Sequence, residues 1–190
     1  MRKPPVTSPP RPTPAELIAA NDKAIPILIA KDLRVLFCGI NPGLWSGATG
    51  HHFARPGNRF WPALHAGGFT PRVLKPHEEQ ELLTYGCGVT NFVNRTTATA
   101  AELGDDELIA GAKKLEKTCR TYKPKWLAVL GIGAYRTGFG RKNAKIGPQD
   151  ETVAGTRVWV LPNPSGLNVH QTPASLGKLF AELHAAAMSS

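Results

Sequence analysis

Two short runs place an asparagine among glycines and prolines directly after an apolar segment. Gly39-Ile40-Asn41-Pro42-Gly43 follows Val35-Leu36-Phe37-Cys38, and Asn163-Pro164-Ser165-Gly166-Leu167-Asn168 follows the apolar stretch ending at Leu161. An asparagine amide donates and accepts hydrogen bonds without titrating, so it can orient a water or read the edge of a base. Asn-Pro-Gly is also good turn chemistry. Position tips the balance for Asn41, because an amide following a buried strand lies at the carboxyl end of a sheet, where open α/β sheets bind ligands. The second loop ends in Leu167, and an apolar side chain on a loop tip needs a partner. That partner is either its own domain or a base stack into which the leucine is pushed as a wedge.

Other chemistries lack their residues. Gly131-Ile132-Gly133 follows an apolar run, but Arg136 stands where a dinucleotide fingerprint needs its third glycine. No GxxxxGK[ST] or GxSxG occurs. His51 and His52 are adjacent and have no acid or cysteine at ligand spacing, so no metal and no cofactor is expected. Cys38, Cys87 and Cys119 form no CxxC, which fits reduced core thiols in a cytoplasmic protein.

The elements that position these loops follow from the pattern. The chain has 190 residues and 42% hydrophobic residues, enough for one domain over 15–190 with a real core. Residues 1–14 contain six prolines and three basic residues and no acid, the composition of a disordered basic tail. A helix or two short helical turns are expected over 15–30, interrupted at Pro26, then a strand at about 33–39. Asn58 is placed to cap a helix reaching Ala66, Pro76 opens another to Tyr85, and a short strand falls at 88–90. Residues 91–103 read as loop. Leu108, Ala112, Leu115, Cys119 and Tyr122 mark one face of a helix over 105–122, with Asp105, Asp106 and Glu107 in its first turn and Pro124 beyond its end. Strands at 126–131 and 157–161, a helix from about Ala134 and a last helix over 173–187 complete an alternating α/β order, which implies a doubly wound, mostly parallel sheet. The formal charge of +9 favours an anionic partner, nucleic acid before membrane; no amphipathic basic helix or signal peptide is seen.

GINPG (39–43), PGNRFW (56–61), LKPHEEQELLTYGCGVT (74–90) and LPNPSGL (161–167), in that order, resemble the mismatch-specific uracil-DNA glycosylases of bacteria and their thymine-DNA glycosylase relatives in eukaryotes. The resemblance covers about Leu33 to Leu183. It implies a three-layer α/β/α sandwich around a small, mostly parallel sheet, and a monofunctional, cofactor-free glycosylase. It assigns Asn41 to the attacking water, Phe53 to stacking on the flipped base, and the backbone of Ile40 and Phe53 to hydrogen bonds with uracil. Ser46 falls at the C5 edge of the base, and Asn163 is a second pocket residue; Gly43 and His51 join the substrate-binding set. Gly166-Leu167-Asn168 matches the wedge that fills the gap left by the flipped nucleotide. Asn94 stands where relatives often carry an acid, a second catalytic candidate whose role is weakened by the missing charge. Gly50-His51-His52-Phe53 is closer to the thymine-processing branch. Asn168-Val169 replaces a Ser-Arg common in bacterial relatives, so weaker dependence on the opposite base is expected. The implied partner is double-stranded DNA with uracil mismatches, then single-stranded DNA, bound by a monomer. Asn41, with nothing obvious to pack against, is expected to be replaceable by alanine without harm to folding.

Overall fold

The computed structural model describes residues 9–189. Strands β1 (Val35–Gly39), β2 (Cys87–Asn91), β3 (Trp126–Leu130), β4 (Gly147–Val153) and β5 (Thr156–Leu161) form one sheet in the order β2-β1-β3-β5-β4. All pairings are parallel except β4 with β5. Helices are α1 (Pro14–Ala19), α2 (Leu44–Thr49), α3 (Phe60–Ala66), α4 (Asp105–Tyr122), α5 (Ile132–Gly138) and α6 (Pro173–Met188).

Strands β1 and β3 are buried throughout and β5 at all but Arg157, and the period of two divides their side chains between two cores. Phe37, Ala128, Leu130 and Leu161 face a cluster with Phe60 and Leu64 of α3 and Leu176, Phe180 and Leu183 of α6. Leu36, Cys38, Leu127, Val129, Val158 and Val160 face Ala112, Leu115 and Cys119 of α4 and Tyr135 of α5. Two helical layers thus enclose one mixed, mostly parallel sheet, the expected α/β/α sandwich. Phe37 centres the first core, edge-on to Phe60 and Phe69 and stacked on Phe180 at 5.8 Å.

Four local expectations are corrected. Of the helix or two helical turns expected over 15–30 only α1 forms, capped by a reciprocal pair in which Thr13 Oγ1 accepts from Glu16 N and the Glu16 carboxylate accepts from Thr13 N. Beyond it Asp22 is left-handed, Pro26 has no N–H, and Leu28 exchanges two backbone hydrogen bonds with Val89. The long loop after β1 contains α2, which hides in the sequence because its N-cap, Gly43, has no side chain to cap with. Residues 76–85 wind as a 3-10 helix, its first turn closed by Lys75 N donating to Glu78. Strand β4 went unread because it is a polar edge strand, mostly exposed, with an irregularity between Pro148 and Thr152. Residues 1–8 of the stretch read as a tail lie outside the described residues. Among the described residues no helix is long and apolar enough to cross a membrane.

Candidate active site at the carboxyl edge of the sheet

A cavity of about 460 Å³ opens at the carboxyl ends of β1, β2 and β3 and is closed on the far side by the loop after β5. The strand order reverses direction at β1, so the connections leaving β1 and β3 diverge and leave a crevice there. Ile40, Asn41, Gly43, Ser46, Phe53, Asn163 and Leu167 all line it.

Asn41 is held by the loop after β2. The backbones of the two loops are laced together by Phe92 N to Gly39 O, Val93 N to Ile40 O and Thr97 N to Pro42 O. The Asn41 amide nitrogen then donates to Arg95 O at 3.0 Å, to Thr97 Oγ1 at 2.7 Å and to Pro42 O at 3.3 Å. Carbonyls only accept, and the Thr97 hydroxyl donates its own hydrogen to Thr99 O. Three acceptors therefore fix which end of the amide is nitrogen. The other end, Oδ1, is the atom left for the cavity. The expectation that Asn41 packs against nothing is thus overturned: its amide cross-links two loops. Arg95 supports this arrangement from outside through a two-pronged pair with Glu107 at 2.7 and 3.0 Å and a contact with Asp22. The hydrogen bond from Arg95 holds the Glu107 carboxyl down at a pKa of about 2.

Phe53 forms a wall. Its backbone is left-handed at φ 52°, a costly conformation for an aromatic residue that neighbours must enforce. Its ring stacks on Phe60 at 4.0 Å. Glu79 anchors the preceding turn, one carboxylate oxygen accepting from His52 N at 2.9 Å and the other meeting His51 Nδ1 at 3.2 Å. His52 is buried, with Nε2 2.9 Å from Pro26 O, which requires the proton on that nitrogen. Burial pushes its pKa down, with Glu79 opposing. Ser46 is buried and accepts from Ala54 N at 3.4 Å. Gly39 is small of necessity: a Cβ there would meet Asn91 Oδ1 at 2.7 Å and the Phe53 ring at 3.3 Å.

Two sequence candidates fall elsewhere. Asn94 is exposed and donates to Ile25 O at 2.8 Å, so it braces the N-terminal segment and is not among the residues lining the cavity. The structure does not bring Asn94, the second catalytic candidate, together with Asn41: Arg95 O and Thr97 Oγ1 meet the Asn41 amide instead. His51 is likewise turned to Glu79 and away from the lining; its neighbour His52 takes that place.

Asn91, Thr97, Arg55 and Arg59 escaped sequence reasoning. Asn91 ends β2, is 8% exposed, lines the cavity, and keeps its amide nitrogen without a hydrogen-bond partner. A buried polar atom left unpaired beside a cavity is costly unless something there completes it. The signal was available, since Asn91 follows a short apolar strand just as Asn41 does. Thr97 offered none, because its partner is 56 residues away. The thiols take no part: all three are buried, and burial pushes Cys87 up to about 12.

The loop after β5 is built differently. Asn163 Oδ1 accepts from Ser165 N and its backbone carbonyl accepts from Asn168 Nδ2. Leu167 and Val169 point outward, 67% and 87% exposed. Gly166 lies so close to Gly57 that a Cβ would come within 2.4 Å of the Gly57 carbonyl.

An amide-lined crevice thus lies at the carboxyl edge of an open, mostly parallel sheet, with apolar residues raised on its rim. Residues 26–184 match the family model of the uracil DNA glycosylase superfamily, and the chain belongs to that superfamily.

Proposed function

We propose that the protein is a monofunctional DNA glycosylase that flips uracil out of G·U and related mismatches and hydrolyses its N-glycosidic bond, leaving an abasic site. Thymine and other damaged bases are further candidates for the same pocket. The observation that carries this reading is the fixed amide of Asn41, whose Oδ1 is left to accept a hydrogen bond from a water in a cavity with room for a base.

A duplex hides the glycosidic carbon, so the nucleotide must first rotate out, at a cost of a few kcal/mol that is least at a mismatch. Phe53 gives the extruded ring a stacking face. Asn91, with its unpaired amide nitrogen, supplies a donor to a base oxygen. Water oriented by Asn41 attacks C1′, the C–N bond breaks, and its electron pair leaves with the base. Donors at the base oxygens stabilise the resulting anion. No carboxylate lines the cavity among the described residues to take up the water's proton, so that proton passes through solvent to the departing base anion and the chemistry leans on the leaving group. Partner DNA, a monomeric state and, from the thiols, a cytoplasmic location belong to this proposal.

The missing carboxylate also favours a second reading, a damaged-base binder that does not cut. One incubation separates them: a labelled G·U duplex is mixed with the protein, and half is run on a native gel while the other half is treated with alkali and run on a denaturing gel. Strand scission at the uracil supports the enzyme; duplex retarded on the native gel but uncut after alkali supports the binder.

A further inference from the structure

We propose that Arg59 is a positioning residue for the loop 165–171, and that by holding this loop it sets the preference for duplex over single-stranded substrate without itself touching DNA. This rests on the glycosylase reading above. The backbone N–H of Arg59 donates to Pro164 O at 2.9 Å. Its guanidinium reaches three more carbonyls of the same loop: Nη1 donates to Asn168 O at 3.0 Å and to Gln171 O, and Nη2 to Gly166 O at 3.4 Å. No carboxylate pairs with it among the described residues.

Four carbonyls of one loop are thus turned inward onto one residue, which leaves the side chains of Leu167 and Val169 facing outward. The loop's own bonds, Asn168 N to Ser165 O and His170 N to Asn168 Oδ1, curl it but do not fasten it to the domain. Arg59 and the close approach of Gly166 to Gly57 provide that fastening along the loop, and the Ser175 hydroxyl of α6, donating to Gln171 Oε1, holds its far end. A planar guanidinium presents a fork of donors that spans separated carbonyls, and an ammonium does not. Three of the five guanidinium N–H groups are committed to carbonyls, and the salt series below tests whether the other two meet a phosphate. A wedge must resist being pushed back when it enters a base stack. Loosening it therefore penalises only substrates in which a stack has to be opened.

The test compares the native protein with Arg59→Lys and Arg59→Gln. Single-turnover cleavage is measured on a G·U duplex and on the same uracil strand alone. Amide exchange is followed over 165–171, and duplex binding is measured across a salt series. Both variants should lose about tenfold or more on the duplex, as expected for hydrogen bonds to a charged group, and stay within about twofold on the single strand. Exchange at Leu167, Asn168 and His170 should rise, and the salt slope should not change. Restoration of the duplex rate by lysine, or a salt slope lowered by about one, overturns the proposal in favour of a phosphate contact. Equal losses on both substrates overturn it in favour of pocket support. Gly166→Ala, which loosens the same anchor from the other side, should reproduce the duplex-only loss; normal behaviour on both substrates counts against the proposal. Should the native protein cleave neither substrate, the glycosylase reading fails. Exchange over 165–171 still decides whether Arg59 holds the loop, and unchanged exchange in both variants sinks it.

Discussion

The loop after β1 and the loop after β5 leave the same edge of one sheet, yet they are fastened in opposite ways. In the first, a side chain points inward: Asn41 spends its donors on the neighbouring loop and keeps one acceptor for the cavity. In the second, carbonyls point inward onto Arg59 and side chains point out. The first arrangement fixes an atom to within hydrogen-bond geometry, which a reacting water needs. The second exposes apolar surface at the cost of its hydration, which makes sense only for a surface that is covered part of the time. Under the proposed function, chemistry and substrate opening fall to different loops, and variants should separate them.

Asn41→Ala should have the largest effect. It removes the acceptor for the water, and activity should fall by at least about a hundredfold, equally on duplex and single-stranded uracil. It also strips partners from Arg95 O and Thr97 Oγ1, so folding should lose about 1–3 kcal/mol. Single-turnover rates and thermal unfolding on the same preparations check both. Unchanged rates would remove Asn41 from the chemistry.

Leu167→Ala comes next and should act on one substrate only. Losing ~1.5 kcal/mol of apolar contact with the stack slows duplex cleavage about tenfold, while single-stranded uracil, with no stack to open, is cleaved nearly as before. An equal loss on both would assign Leu167 to the cavity it also lines.

A smaller effect is expected at Val169, which can make apolar contact but offers neither charge nor a hydrogen bond. Val169→Arg adds a cation beside the partner strand and should raise the G·U over A·U rate ratio, by about threefold to tenfold for a gain near 1 kcal/mol. If the native protein already requires G opposite uracil, and the arginine changes nothing, Val169 does not report on the partner base.

How these loops could be anticipated differs in the same way. β1, β3 and α4 were legible because burial imposes continuous apolar runs or a 3.6 period on them. Strand β4 was not, since an edge strand has few buried positions to impose a pattern. Asn41 and Leu167 could be found because turn residues after a buried strand place them locally. Thr97, Glu79 and Arg59 could not, because each acts through a partner 27 or more residues away, and the pairing is set by tertiary packing alone. The same limit applies at Asn94, where the fold of the loop after β2 brings Arg95 O and Thr97 Oγ1, and not Asn94, to the Asn41 amide.

The smallest effect concerns acid. His52 is buried beside the cavity, and its pKa in the folded protein lies below the ordinary 6.5 because burial disfavours the charged ring. Glu79 and the Pro26 carbonyl favour the charge and His51 opposes it, but desolvation leads. The unfolded chain therefore takes up this proton first as pH falls. The stability that neutral His52 contributes is whole above pH 6.5 and is lost as pH falls below it, toward and through the lower folded value. The Asn41 side of the cavity should feel this before the loop after β5, since His52 also carries the turn leading to Phe53. Thermal unfolding from about pH 8 down to about pH 5 should show a steeper decline for the native protein than for His52→Gln, whose amide can still donate to Pro26 O but cannot charge. Amide exchange at residues 51–54 should rise with acid, while exchange at 165–171 stays level. Parallel unfolding curves for the two proteins would mean that His52 is not the group that titrates, and equal exchange at both loops would mean that they are not separately fastened.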